Sequence, residues 1–268
     1  MPLQKGTLIF ANYTAKVKDT GEGIETTSEE EARKLNMHDA DRKYEPRLIA
    51  VGEGWVIGGL DEEVAKMDVG EKKQIELAPE KAFGTRDPSQ LRMVPLRKFG
   101  ERAHELGVGD TVEIDNRVGV VRFIGSGRAQ VDFNHRLAGK NVVYDFEVVR
   151  KVETDDDKLR ALIDRRFAGE GSKVIFNLKG AELEVTVPEE LFLLEGLQIV
   201  KRGVSSDAFK FLPQVRDVTF VEKFVNKKPE EKKEAPVEKA PPPETKVEAP
   251  AEAPAQTERK KATAPKRR

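Results

Sequence analysis

Few side chains in this chain have the types and spacing that bond-making chemistry needs. His38, Asp39 and Asp41 are clustered donors of the kind a metal uses. A metal site needs several convergent ligands, however, and no second cluster at ligand spacing follows, so the residues indicate no metal. His135 is a candidate for acid–base work, but no nucleophile with a base partner is apparent near it in sequence, and its expected role is to order the chain around it. With no cysteine, disulfides, iron–sulfur clusters and thiolate zinc sites are excluded. Residues 51–84, VGEGWVIGGLDEEVAKMDVGEKKQIELAPEKAFG, hold the densest pattern. It carries no acid–base or nucleophilic set and reads as an apolar wall, Trp55 and several branched aliphatics on tight glycine turns. That is either a binding surface or the core of a small α+β domain.

The elements that must position this wall follow from its periodicity. Leu60, Val64 and Met67 recur at helical spacing, with Asp61, Glu62 and Glu63 early and Lys66 late, as the helix dipole favours. Residues 73–77 alternate as a half-buried strand that Pro79 stops. Upstream, residues 7–17 and 47–51 read as strands, and Ser28 with Glu31 forms a capping box for a short helix through Leu35. Residues 142–149 form a long strand with Val142, Tyr144, Phe146 and Val148 on one face.

The order VGEGxVIxGLxEEVxxMxVGEKKxIxLxPEKAFG resembles the heart of the FKBP family of peptidyl-prolyl cis-trans isomerases. The run Asn134-His135-Arg136-Leu137-Ala138-Gly139-Lys140-Asn141 resembles the N-H-x-L-A-G-x-N junction of SlyD-type members, which carry a domain inserted in their flap. The resemblance implies that Tyr144, Ile49, Leu60 and Phe83 line a pocket for the proline ring, with Ile24 and Val56 beside it. It implies that the Ile57 backbone N–H fixes the substrate carbonyl, and that Glu25, held by Tyr13, meets the rotating amide. No nucleophile is required: a dry pocket that fits the twisted imide selects the transition state. Read without the resemblance, Glu25 is equally an exposed turn residue and Tyr13 equally a core residue. The sequence departs from the family's usual residues: Ile24-Glu25 replaces an aromatic-Asp pair, Ile49 stands where an aromatic is often found, Phe83 replaces a tyrosine, and Leu60 replaces a large aromatic floor. The last implies poor macrolide affinity.

Residues 86–133 read as an inserted β module, with strands at 111–114, 118–124 and 129–133. Leu91, Val94, Leu96 and Phe99 lie in an aperiodic segment expected to stay partly exposed, because so small a module buries little surface. They are the expected contacts for unfolded chains; the alternative is that they pack on the module's own strands. Residues 154–226 read as a further α+β domain with no catalytic constellation, resembling by layout the dimerising extension of long archaeal members. The expected fold class is α+β: an FKBP-like antiparallel sheet with a short helix (1–85 and 134–153), the inserted β module (86–133), a separate C-terminal α+β domain (154–226) and a disordered tail (227–268).

The tail is Pro, Glu, Ala and Lys without an aromatic and ends on a basic run, so it is expected to solubilise the chain or to touch ribosome or RNA without reading bases. Of 268 residues 35% are charged and the net charge is −1, which gives no bulk bias toward a partner. No targeting pattern and no apolar run of membrane length is present, so the simplest expectation is a cytoplasmic chain. The expected partners are unfolded or proline-containing polypeptides and a second copy of the chain through the C-terminal domain, with no cofactor. The non-enzymatic alternative is a holdase chaperone that uses the FKBP domain as a scaffold.

Overall fold

A computed structural model describes residues 2–225. The strands are β1 (Leu8–Val17), β2 (Gly23–Thr26), β3 (Arg47–Ala50), β4 (Lys72–Leu77), β5 (Leu91–Pro95), β6 (Thr111–Ile114), β7 (Arg117–Gly125), β8 (Arg128–Asp132), β9 (Val142–Lys151), β10 (Ile175–Lys179), β11 (Glu182–Val187) and β12 (Asp217–Glu222). The α-helices are α1 (Glu29–Lys34), α2 (Gly58–Val64), α3 (Asp155–Arg166) and α4 (Leu197–Phe211).

The first sheet is antiparallel in the order β2-β1-β9-β4, and β3 lies beside β2 along the same edge of β1. Alternation along β1 divides its side chains between two faces. Ile9, Ala11, Tyr13, Ala15 and Val17 meet α2 on the inner face, where Leu60, Val64 and Met67 close a core with Ile75, Tyr144, Phe146 and Val148. On the outer face Leu8, Leu48 and Ala50, with Val152, share a second core with Leu159, Leu162, Phe167 and Val185 of the C-terminal region. That region has its own secondary structure, but its core is completed by the back of the first sheet and is therefore not independent of it.

The insert is an antiparallel sheet in the order β5-β8-β7-β6 around Val94, Val112, Ile114, Val121, Ala129 and Val131. Here the structure corrects the expectation for residues 91–99. Residues 91–95 are a strand paired with β8, and Leu96–His104 is a run of 3-10 turns broken at Gly100. Val94 is buried, and Leu96 and Phe99 pack on that core. Pairing with β8 satisfies one side of this edge strand's backbone, which a sequence window without clear period does not reveal.

The C-terminal sheet has the order β10-β11-β12, antiparallel then parallel. The Thr154 hydroxyl caps α3 by accepting from the Asp157 N–H at 3.1 Å. Arg166 of α3 donates twice to the buried Asp207 of α4, at 2.6 and 2.7 Å. The region after Pro188 is a 3-10 turn at Glu189–Leu191 followed by α4. Gly196 separates them with a φ of 73°, a conformation that strains other residues. The tail, expected to be disordered, lies outside the described residues.

Candidate active site

The loop from Gly52 to Ile57 is fixed from beneath. Gly52 and Gly54 take φ of 73° and 68°. The buried Asp61 carboxylate, in the first turn of α2, accepts from the Gly52 N–H at 2.7 Å and the Gly54 N–H at 3.0 Å. Ile57 caps α2 with extended backbone (φ −60°, ψ 143°), and its carbonyl accepts from the N–H groups of Leu60 and Asp61. Its own N–H has no partner among the described residues. Gly59 lets α2 approach the 3-10 turn Pro79–Lys81, since a Cβ there would meet the Lys81 carbonyl oxygen at 2.6 Å.

Trp55, expected in the wall, faces the other way. Its ring meets Phe211 of α4 edge-on with centroids 5.5 Å apart, and the Arg165 guanidinium lies 3.7 Å from its centre. Glu53 pairs with Lys210. The C-terminal region thus holds this loop from behind.

On the open side the structure brings most of the expected residues together. Tyr13, Leu60 and Tyr144 are buried, and Ile24, Val56, Ile57 and Phe83 are half-buried around them. The Tyr13 ring lies 6.1 Å from Tyr144 and 6.0 Å from Phe146, onto which it stacks. Phe146 follows from the register Tyr13↔Phe146, which a single strand read alone does not reveal.

Ile49, expected in the pocket wall, is buried in the same core as Tyr13, Leu60 and Tyr144 and, like Leu60, is 1% exposed. Arg47, two residues earlier and so on the same face of β3, occupies the accessible position. Its Nη1 donates to the Tyr13 hydroxyl oxygen at 2.9 Å and to Glu25 Oε1 at 2.5 Å, and Arg42 Nη2 donates to the same Oε1 at 3.3 Å. Glu25 is therefore held chiefly by two arginines rather than by Tyr13. Burial first, then the Glu25 charge, pushes the Tyr13 phenol up to about 12. Burial also raises the Tyr144 phenol, with Tyr13 and Glu25 adding to the effect. Both hydroxyls stay neutral donors at ordinary pH.

Phe83 stacks on His135 with centroids 5.1 Å apart and planes 11° from parallel. His135 Nδ1 accepts from the Leu137 N–H at 3.3 Å. Around this stack the two chain crossings into the insert are pinned together. The Gly139 N–H reaches the Gly84 carbonyl at 2.8 Å, and Asp87 and Asn134 exchange two hydrogen bonds at 2.8 and 3.0 Å. Arg86 and Arg122 both pair with the buried Asp132. His38 sits elsewhere, bonded to Glu29 at 3.2 Å and stacked on Tyr44.

Leu91, Val94, Leu96 and Phe99 do not join this pocket, being part of the insert. The exposed large apolar side chains there are others: Met93 (47%), Val108 (67%), Val118 (63%) and Phe123 (56%). Met93 and Phe123 flank Gln130 across three strands, on the face opposite Val94 and Ala129. The arrangement sets half-buried apolar side chains and the unpartnered Ile57 N–H beside neutral hydroxyls and a paired carboxylate. Those parts suit fixing a peptide in a dry, distorted pose rather than attacking it.

Comparison with known proteins matches residues 2–95 to the model of the FKBP-type peptidyl-prolyl cis-trans isomerases, residues 92–137 to the FKBP26 IF domain and residues 155–225 to the FKBP26 C-terminal region. The short-type peptidyl-prolyl cis-trans isomerase of Methanocaldococcus jannaschii is 31% identical over 146 residues, 54% of this chain and 92% of that protein. The FKBP-type peptidyl-prolyl cis-trans isomerase SlyD of Helicobacter pylori is 29% identical over 126 residues, 46% of this chain and 68% of that protein. The FKBP-type 16 kDa peptidyl-prolyl cis-trans isomerase of Escherichia coli is 27% identical over 151 residues, 55% of this chain and 92% of that protein.

Proposed function

The chain belongs to the FKBP-type peptidyl-prolyl cis-trans isomerases and acts as a rotamase, and we propose that it turns X–Pro bonds in the pocket around Tyr13 and Tyr144 while its insert holds unfolded chains. Isomerisation takes tens of seconds or more uncatalysed because the amide must lose conjugation. In this reading Leu60 and Tyr144 floor a site for the proline ring, with Ile24, Val56 and Phe83 as its rim. The Ile57 N–H, free of any intramolecular partner among the described residues, anchors the substrate carbonyl. That free donor at the mouth of an apolar pocket is the observation that carries the reading. The Arg47–Glu25–Tyr13 array fixes a neutral hydroxyl and a carboxylate beside the amide as it rotates.

For the insert, the observation is the exposed face with Met93, Val118 and Phe123, which offers irregular apolar surface to unfolded polypeptides. The domain boundaries 1–85 with 134–153, 86–133 and 154–226 follow from this division. A homodimer through the C-terminal region draws on Leu193 and Ile199, which are 97% and 78% exposed. Sedimentation of Ile199→Asp tests it without removing the core shared with the first sheet. Among the described residues no helix is long and apolar enough to cross a membrane. The cytoplasmic location and the contact of the tail with ribosome or RNA remain expectations from sequence.

The test is proline-limited refolding of a protein substrate, with wild type, with the triple variant Met93→Ser, Val118→Ser, Phe123→Ser, and with residues 88–133 replaced by a short linker. Asp87 and Asn134 are hydrogen-bonded to each other, so the linker spans a closed gap. The proposal expects all three proteins to turn over a short prolyl peptide and only wild type to accelerate protein refolding strongly. Suppressed aggregation without turnover of either substrate would instead make the chain a holdase on an isomerase scaffold.

A further inference from the structure

A cleft of about 920 Å³ opens along the edge of the first sheet where β2 and β3 lie end to end, with the C-terminal part of α3 as its far wall. Six cations line it, Arg42, Lys43, Arg47, Arg150, Arg165 and Arg166, against the carboxylates of Glu25, Glu45 and Asp164. Several of these charges are already committed. Arg42 and Arg47 share Glu25, and Arg166 closes on Asp207. Lys43 and Arg150 make no close ion pair among the described residues; Lys43 lies within electrostatic reach of Asp164 and Glu170, and Arg150 is set over the Phe10 ring, 4.2 Å from its centre.

The Arg165 guanidinium lies below its ordinary range through burial first and the neighbouring Arg166 next, with Asp207 opposing and Arg47 from the opposite wall adding to the effect. Asp164 is a weak counter-charge, because burial raises its carboxyl and one of its oxygens has no hydrogen-bond partner. The cleft adjoins the isomerase pocket through Arg47, which lines the cleft with Glu25 and donates to the Tyr13 hydroxyl oxygen.

We propose that this cleft extends the substrate site and receives an acidic polypeptide segment flanking the proline to be turned, with Lys43 and Arg150 as its free charges. The inference rests on the isomerase reading of the pocket that the cleft joins. A polypeptide is the occupant because polypeptide is what that pocket takes, and the acidic character follows from the unpaired cations. Substrates with glutamates beside the X–Pro bond are captured faster and retained longer than neutral ones, and salt erodes the difference.

The test compares two length-matched prolyl peptides, one with a run of glutamates next to the X–Pro bond and one with glutamines. Each is assayed with the full chain and with the double variant Lys43→Glu, Arg150→Glu, at low and high salt. Binding of the fluorescently labelled peptides is followed by anisotropy in the same samples. Two exposed ion pairs predict about fivefold higher kcat/KM and tighter binding for the acidic peptide at low salt. The preference should vanish or invert in the double variant while the neutral peptide is turned over as by wild type. Equal binding of the two peptides by wild type overturns the cleft assignment, as does a preference that survives both the variant and high salt. So does an unchanged peptide preference accompanied by loss of polyuridine binding, which would assign the cleft to RNA. Failure to turn over either peptide counts against the pocket, whereas the anisotropy comparison still decides the cleft.

Discussion

Replacing Asp61 by alanine should loosen the site without touching any residue that meets substrate. The Asp61 carboxylate is buried and accepts from two N–H groups, those of Gly52 and Gly54, at 2.7 and 3.0 Å. Charge-assisted hydrogen bonds contribute roughly 1.5–3 kcal/mol each. Both glycines are exposed, so water can take over their N–H groups, and the lower end of that range applies. Loss of the acid from the first turn of α2 adds a few tenths of a kcal/mol through the helix dipole. The sum is a destabilisation of about 3 kcal/mol. Asp61→Asn should fall between, because its carbonyl keeps one bond while its NH2 faces the second donor. Urea unfolding measures the stability term. The loop also carries Val56 and Ile57, so kcat/KM on a prolyl peptide should fall about tenfold even where the variant is fully folded. A loss below about 0.5 kcal/mol would refute the bracing argument. Lost stability with unchanged kcat/KM would show that the loop does not position the site.

Phe83→Tyr should leave peptide turnover unchanged or raise it, because the half-buried ring keeps its stack on His135 and gains a donor at the rim; a large loss in a peptide assay would show that Phe83 is misplaced in the pocket. The Tyr13 phenol, pushed from 10.0 up to about 12, makes the folded state hold its proton more tightly than the unfolded state. Its contribution is fully present below pH 10 and is lost as pH rises from 10 toward about 12. Tyr13→Phe should flatten that decline in denaturant melts at alkaline pH; an unchanged decline would assign the alkaline loss to other groups.

How much of this was legible in sequence depended on whether a residue's role is set locally or by register. The stripe Leu60, Val64 and Met67 and the glycine turns are local features, and α2 forms where the periodicity indicates but ends at Val64, so Lys66 and Met67 lie beyond it. Arg47 was not legible as a site residue. It reads as the polar start of a strand, and it reaches Glu25 and Tyr13 only because β1 pairs Ala11 with Arg47 and Ala15 with Glu25. Trp55 has the hydrophobicity of a pocket wall, but sequence does not say which of two cores an aromatic joins, and here it is the one shared with the C-terminal region. In the insert, a register shift between Val121 and Phe123 turns Phe123 to the side of Met93, so simple alternation does not reveal that exposed pair.

The most direct measurement is kcat/KM on a prolyl peptide for Ile57→Pro beside Ile57→Ala. Ile57 has φ −60°, within the range a proline ring imposes, and its N–H has no intramolecular partner among the described residues. Proline therefore deletes the proposed donor without costing the fold a hydrogen bond, and alanine controls for the lost side chain. A single hydrogen bond to the substrate carbonyl is worth about 1 kcal/mol or more, so proline should cut kcat/KM about tenfold below alanine with both proteins equally folded. Equal turnover by the two variants would contradict the account, because the substrate carbonyl would then be held by something other than the Ile57 N–H.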